Sequence, residues 1–294
     1  MLSPPCPATT GKPAILSGLG EIADGYDALF CDVWGVLHDG RSARTPAVEA
    51  LRVFRARRGP VILLSNAPRP AEDVEKQLAQ LRVPADCYDA ILTSGMLARD
   101  ELARRADGRE LPMLHIGPSR DRGVFAGLSV RCVTTAEAEI ALCTGLFDDD
   151  TETPEVYRAM LGELKARALT LLCANPDIVV QRGGQLVYCA GAVARLYEEL
   201  GGTSVYCGKP YRPIYDAALE RARALLGRGA PHALVLGDGL ETDIRGANAA
   251  GFDAVFVADG IHGEDVREMT PDAIGELCAR TKVSARAAIR ALVW

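Results

Sequence analysis

Asp32, Ser65, Asn66, Lys209, Asp238 and Asp243 are the residues of this 294-residue chain whose types and spacing best suit chemistry. Each follows closely on an apolar run. Ala28-Leu29-Phe30-Cys31 precedes Asp32, Val61-Ile62-Leu63-Leu64 precedes Ser65-Asn66, Ser204-Val205-Tyr206-Cys207 precedes Gly208-Lys209-Pro210, and Ala233-Leu234-Val235-Leu236 precedes Gly237-Asp238. A carboxylate at the tip of a buried strand loses hydration, so such groups usually hold a cation or react. In a parallel α/β sheet the carboxyl ends of the strands open on one crevice. Two or three carboxylates, a hydroxyl, an amide and one ammonium gathered there suit a divalent cation plus a phosphoryl group: oxygens for Mg²⁺, a positive charge and hydrogen-bond donors for the phosphate. Gly35 removes a side chain where backbone N–H groups would approach the anion. Taken singly, each signal is weak. A strand-end Asp is a cap about as often, Gly208-Lys209-Pro210 alone reads as a turn, and Asp243 alone reads as an acid in the first turn of a helix. The order and spacing of the set argue for a site.

The elements that must carry these residues alternate. Apolar runs at 28–31, 60–64, 90–92, 113–116, 140–143, 169–174, 204–207, 233–236 and 254–257 read as strands. Between them lie helical patterns. One starts at Thr45-Pro46, with Thr as cap and Pro in the first turn, buries Val48, Leu51 and Phe54, and stops at Gly59. Others run over 70–82, 153–168, 192–200 and 213–226. The alternation predicts an α/β protein: a doubly wound, Rossmann-like parallel-sheet core over 1–95 and 204–294, with an inserted α/β cap domain over 96–203.

Composition excludes several classes. The net charge of −6 with no long basic run argues against nucleic acid and anionic membranes as partners. The cluster Arg52 to Arg58 reads as a solvated helix face, Asp148-Asp149-Asp150 as a solvated turn, and His115 and His232 as structural or exposed. The nine Cys form no C-x-x-C pair, and their odd number argues against a complete disulfide framework, so a cytoplasmic setting is expected. The N-terminus has neither the basic start nor the apolar core of a signal peptide, and no run approaches transmembrane length.

Four segments carry a resemblance. Cys31-Asp32-Val33-Trp34-Gly35-Val36-Leu37, Leu64-Ser65-Asn66, Gly208-Lys209-Pro210 and Gly237-Asp238-Gly239-Leu240-Glu241-Thr242-Asp243 match in order the four motifs of the haloacid dehalogenase superfamily. The branch resembled is class IIA, with a large α/β cap, related to the nucleotide and pyridoxal phosphatases; Asn175-Pro176-Asp177 is similar to part of its cap. The resemblance implies that Asp32 is the nucleophile, forming an aspartyl-phosphate, and that Ser65, Asn66 and Lys209 hold the phosphoryl group near Trp34 and Gly35. It further implies that Mg²⁺ sits between Asp32, Asp238 and the backbone carbonyl of Trp34, supported by Asp243. The partner would be a small phosphorylated metabolite, and a cap-to-cap homodimer is compatible with it.

One position departs from the pattern. Family phosphatases carry a second Asp two residues after the nucleophile, as general acid and then base; here it is Trp34. Indole offers one N–H donor and exchanges no proton at useful pH. Loss of a positioned acid–base costs about 10²–10⁴ in rate. Three readings follow: a slow or specialised Mg²⁺-dependent phosphatase acting on a good leaving group, a phosphatase whose proton comes from His38 or Asp39, or a phosphometabolite-binding or interaction module without turnover. Dehalogenase chemistry suits Asp238, Asp243 and Lys209 less well.

Overall fold

The structure, a computed structural model, describes residues 12–182, 185–227, 229, 231–263 and 266–294. The N-terminal stretch read above as lacking a signal peptide lies outside the described residues, as does Cys6. The chain divides into two compact units: Met1–Ser65, Glu75–Leu92 and Lys209–Trp294 form the first, Asn66–Val74 and Thr93–Gly208 the second.

The chain opens with β1 (Ala14–Leu16), β2 (Ala28–Asp32), α1 (Thr45–Arg57), β3 (Val61–Ser65), α2 (Ala71–Gln80) and β4 (Ala90–Thr93). Next come α3 (Ser94–Ala106), β5 (Leu111–Ile116), β6 (Val130–Cys132), β7 (Ile140–Cys143), α4 (Arg158–Ala166), β8 (Thr170–Cys173), β9 (Val179–Arg182), β10 (Gln185–Tyr188), α5 (Ala190–Glu199) and β11 (Thr203–Tyr206). It closes with α6 (Arg212–Leu226), β12 (Ala233–Gly237), α7 (Arg245–Ala250), β13 (Asp253–Val257), α8 (Pro271–Thr281) and β14 (Ala287–Ile289).

The first unit is built on a seven-stranded sheet in the order β1-β14-β13-β12-β2-β3-β4. Its central strands are continuous apolar runs because both faces are covered; every residue of β2 and β12 is buried. The chain adds β3 and β4 on one side of β2, then returns to add β12, β13 and β14 on the other. The order therefore reverses between β2 and β12, and ligands of doubly wound sheets bind outside the strand ends at that point. Register fixes the neighbours: Cys31 lies beside Leu236 of β12, and Asp32 beside Leu64 of β3.

α1 buries Val48, Leu51 and Phe54, as its periodicity predicts. Its cap differs from expectation: Thr45 is already helical, and Arg44 occupies the cap position without a side-chain hydrogen bond. The basic face is solvated. Arg52 binds Asp86 through two bonds of 2.7 and 2.8 Å, and Arg55 reaches Asp89 at 2.8 Å. Trp294 packs beside Gly20 under the guanidinium of Arg57, 5.7 Å from its ring centroid.

The second unit holds a five-stranded parallel sheet, β11-β8-β7-β5-β6, and the separate antiparallel pair β9–β10. One cluster packs Leu161, Leu164, Val193 and Tyr197 with Leu171; another packs Ala98, Leu102 and Val124 with Leu142 and Leu172. The segment 204–207 was expected to open the second part of the core. Instead β11 pairs in parallel with β8, from Thr203–Thr170 to Tyr206–Cys173, so it belongs to the five-stranded sheet. Thr144, just past β7, has its Oγ1 2.9 Å from Nε2 of His115 in β5. Burial lowers His115 to about 4 and raises the nearby Asp121 to about 6. Asp148, Asp149 and Asp150 form a surface turn: Asp148 accepts from the Asp150 amide at 3.0 Å, and Asp149 binds Arg120 at 2.5 Å.

Candidate active site

Asp32 ends β2, and Asp238 follows β12 directly, so the two carboxylates emerge side by side where the strand order reverses. After Asp238 the backbone makes a π-helical turn, Leu240–Ile244, which turns Asp243 back toward the sheet. Such widened turns recur at functional sites. Tyr215 of α6 secures this one from behind, its hydroxyl donating to the carbonyls of Asp243 at 3.2 Å and Thr242 at 3.4 Å. Asp32, Asp238 and Asp243 each offer an oxygen within 4.8 Å of the other two, and all three are buried.

Lys209 follows β11 by three residues and is itself buried. Its ammonium donates to Asp32 Oδ1 and, at 2.7 Å, to Asp243 Oδ1. Burial alone would lower its pKa, but Asp243 and Asp32 outweigh that and hold it well above the usual value. Asp32 is pushed well up by burial, against the pull of Lys209 and with Asp243 and Asp238 adding to the rise. Asp238 is raised to about 6 by burial and by Asp243. These directions share one origin: three buried carboxylates face one ammonium. The deficit of positive charge, with oxygens close enough to share one ion at 2.0–2.6 Å, fits a divalent cation.

The residues expected at the site are distributed as follows. Asp32, Lys209, Asp238 and Asp243 come together. Ser65 ends β3, one residue beyond the partner of Asp32. Asn66 is buried in the second unit, where its amide nitrogen donates to Asp177 at 2.8 Å and its oxygen accepts from Ser94 at 3.1 Å. The Gly35 N–H donates to the His38 carbonyl at 2.8 Å, inside its own loop. Its φ is +86°, and a Cβ there would lie 2.0 Å from Asp238 Oδ2, so the glycine makes room for a carboxylate. The Trp34 indole lies against the same loop. It meets the His38 ring edge-on, centroids 5.0 Å apart, and covers Gly40, where a Cβ would come within 2.6 Å of it.

Neither candidate substitute acid projects freely. His38 is buried and lowered to about 4 by desolvation, and its Nδ1 accepts the Gly40 N–H at 3.0 Å. Asp39 is exposed and lowered by the backbone N–H groups of Ser42 and Arg41, each 2.8 Å from its Oδ1.

Sequence reading missed the segment after β13. Ile261 N–H donates to Asp238 Oδ2 at 2.7 Å, and a Cβ on Gly260 would fall 1.9 Å from that oxygen. The available signal was Asp259-Gly260 just beyond an apolar run, one more strand end on the same sheet. Tyr215 was missed because nothing in a helical pattern marks a hydroxyl that anchors a distant turn.

Comparison with known proteins gives a consistent picture. The haloacid dehalogenase-like hydrolase family matches residues 29–130, and a HAD-hydrolase-like family matches 206–278. A solved hydrolase of the haloacid dehalogenase-like family from Brucella suis is 42% identical, covering 94% of this chain and 99% of that one, with a TM-score of 0.83. D-glycerol 3-phosphate phosphatase of Mycobacterium tuberculosis is 28% identical over 82% of this chain, which spans 65% of that relative's length. A glycerol phosphate phosphatase from the same organism, solved with magnesium, shares the fold at a TM-score of 0.63 and 24% identity, over 82% of this chain and 70% of that one.

Proposed function

This chain belongs to the haloacid dehalogenase-like hydrolases, and from that premise we propose that it is a Mg²⁺-dependent phosphatase acting on a small phosphorylated metabolite. The observation that carries the reading is the buried cluster of Asp32, Asp238 and Asp243 around Lys209. In this reading Asp32 is the nucleophile. Lys209 holds Asp32 in place and would face the phosphoryl oxygens, with Ser65 at the end of β3 as a further donor to them. Asp32, Asp238 and the Trp34 carbonyl would hold the cation, with Asp243 in support. Bound there, Mg²⁺ neutralises phosphate charge so that an anionic carboxylate can approach. Asp243 steers Lys209, and Ile261 N–H fixes the rotation of Asp238. The second unit is read as the cap domain expected from the sequence, with substrate selection as its role. Eight free cysteines among the described residues, seven of them buried, favour a reducing, cytoplasmic setting. Among the described residues no helix is long and apolar enough to cross a membrane.

The test is phosphate release from a panel of phosphorylated metabolites with Mg²⁺, by wild type beside Asp32→Asn. Activity that needs both Mg²⁺ and Asp32 supports the reading; activity that survives the substitution removes it. Trp34 favours a second reading, a phosphometabolite-binding module. Ligand-dependent thermal stabilisation that requires Mg²⁺, with no product formed, would select it.

A further inference from the structure

The loop after β2 decides which protons are at hand when a phosphoryl group leaves its substrate. By the family resemblance Trp34 takes the place of a carboxylic acid, and its indole is seated on Gly40 and His38. Indole has no proton to exchange at useful pH. His38 is buried behind that ring with Nδ1 accepting from Gly40, and Asp39 is turned outward to cap its own turn through Arg41 and Ser42. Asp32 and Asp243 accept from Lys209, and Asp238 accepts from Ile261 N–H. The first unit thus assembles a nucleophile and charge stabilisers, while the titratable side chains of the loop are committed to holding it.

Resting on the phosphatase reading above, we infer that this site acts on phosphates whose leaving oxygen is already a weak base, with acyl and aryl phosphates as the chemical class, and discriminates against alkyl phosphate monoesters. In the first step an oxygen of the Asp32 carboxylate bonds to phosphorus. The bond from phosphorus to the leaving oxygen breaks, and its electron pair departs as a carboxylate or phenolate without taking a proton. In the second step a water oxygen bonds to phosphorus, the bond to Asp32 breaks, and its pair restores the carboxylate. The proton lost by water passes to the phosphate product or to solvent. The group absent at position 34 would have served both steps, since an acid that protonates the leaving group becomes the base that deprotonates water. An acidic leaving group relieves only the first. The second becomes slow, and the phosphorylated form of Asp32 accumulates.

The experiment uses the full chain with Mg²⁺. It measures kcat/KM for aryl phosphates of graded leaving-group pKa, for acetyl phosphate and for glycerol 3-phosphate, in wild type and in Trp34→Asp. The wild type is expected to lose a factor of about 10²–10⁴ from 4-nitrophenyl phosphate to glycerol 3-phosphate. Rapid mixing with 4-nitrophenyl phosphate should release a burst of nitrophenolate approaching one equivalent per enzyme. Trp34→Asp is expected to recover the alkyl substrate by a similar factor and to suppress the burst. Equal wild-type kcat/KM across the series overturns the inference but leaves the phosphatase reading standing, because a proton donor is then present. Activity confined to Trp34→Asp overturns the inference too, since the natural site is then disabled. No turnover of any substrate by either protein removes the phosphatase reading itself. If Trp34→Asp does not fold, the wild-type slope and burst decide alone.

Discussion

Replacing Lys209 by Met tests how charge is balanced in the site. Met keeps most of the aliphatic stem and removes the ammonium. That ammonium lies 2.7 Å from Asp243 Oδ1 and also bonds Asp32, with all three residues buried. One pair at that distance is worth about 6 kcal/mol at an effective dielectric of ~20 and about 1.5 at ~80. Part of that attraction offsets the desolvation of the ions, and breaking a buried pair by removing one partner typically costs about 3–5 kcal/mol. The upper half of that range is expected, because Asp238 stands close to the two carboxylates left behind. A change of this size corresponds to a fall in Tm of roughly 8–20 °C for domains of this scale. Thermal unfolding in EDTA should show the full loss. Saturating Mg²⁺ should return a larger share of stability to Lys209→Met than it adds to wild type, since a divalent cation supplies the missing charge. A loss below about 1 kcal/mol in EDTA, or a Mg²⁺ response equal to that of wild type, would refute the view that the ammonium compensates a site short of positive charge.

Other substitutions probe separate parts of the molecule. Gly35→Ala places a Cβ 2.0 Å from Asp238 Oδ2 at a φ of +86°; it should cost about 1–3 kcal/mol from backbone strain alone and weaken Mg²⁺ binding in calorimetric titration. Tyr215→Phe removes the donor to the Thr242 and Asp243 carbonyls and should cost about 1 kcal/mol in denaturant unfolding. Asp121 and His115 carry opposite pH dependences. Asp121, raised to about 6, favours the folded state most below pH ~4 and loses that contribution as pH rises through about 6; His115, lowered to about 4, contributes above pH ~6.5 and loses it as pH falls through about 4. Each can shift stability by up to about 3 kcal/mol. Relative to wild type between pH 4 and 6.5, Asp121→Asn should therefore gain stability with rising pH and His115→Gln should lose it. Parallel curves would show that burial does not set either group.

The parts of this molecule legible from sequence are those where one physical rule acts alone. β2, β3 and β12 announce themselves because burial on both faces leaves continuous apolar runs, and Asp32 and Asp238 stand out as the charges that end them. β1, β6 and β14 are only three residues long, too short for any pattern to rise above chance. α3 escaped notice although Thr93 caps it, its Oγ1 accepting from Met96 N–H at 3.0 Å, because Gly95 in its first turn reads as a loop. The segment before Lys209 shows a different limit: a short apolar run declares that it is a strand but not which sheet receives it. Gly35 shows a third. Spacing marks a position where bulk is forbidden, and only coordinates reveal that the neighbour is the Asp238 carboxylate.

The reversal of strand order between β2 and β12 also bears on how the chain is made. Phe30 pairs with Val235, which leaves the ribosome some ~200 residues later, roughly 10–40 s at about 5–20 residues per second. Throughout that interval one side of β2 is an unmet row of amides and carbonyls flanked by apolar side chains, an adhesive edge for other nascent chains. Residues 93–208 are contiguous and can close their own core meanwhile. The vulnerable species during synthesis is then the half-built sheet at the N-terminus, and holdase demand should be greatest until β12 arrives.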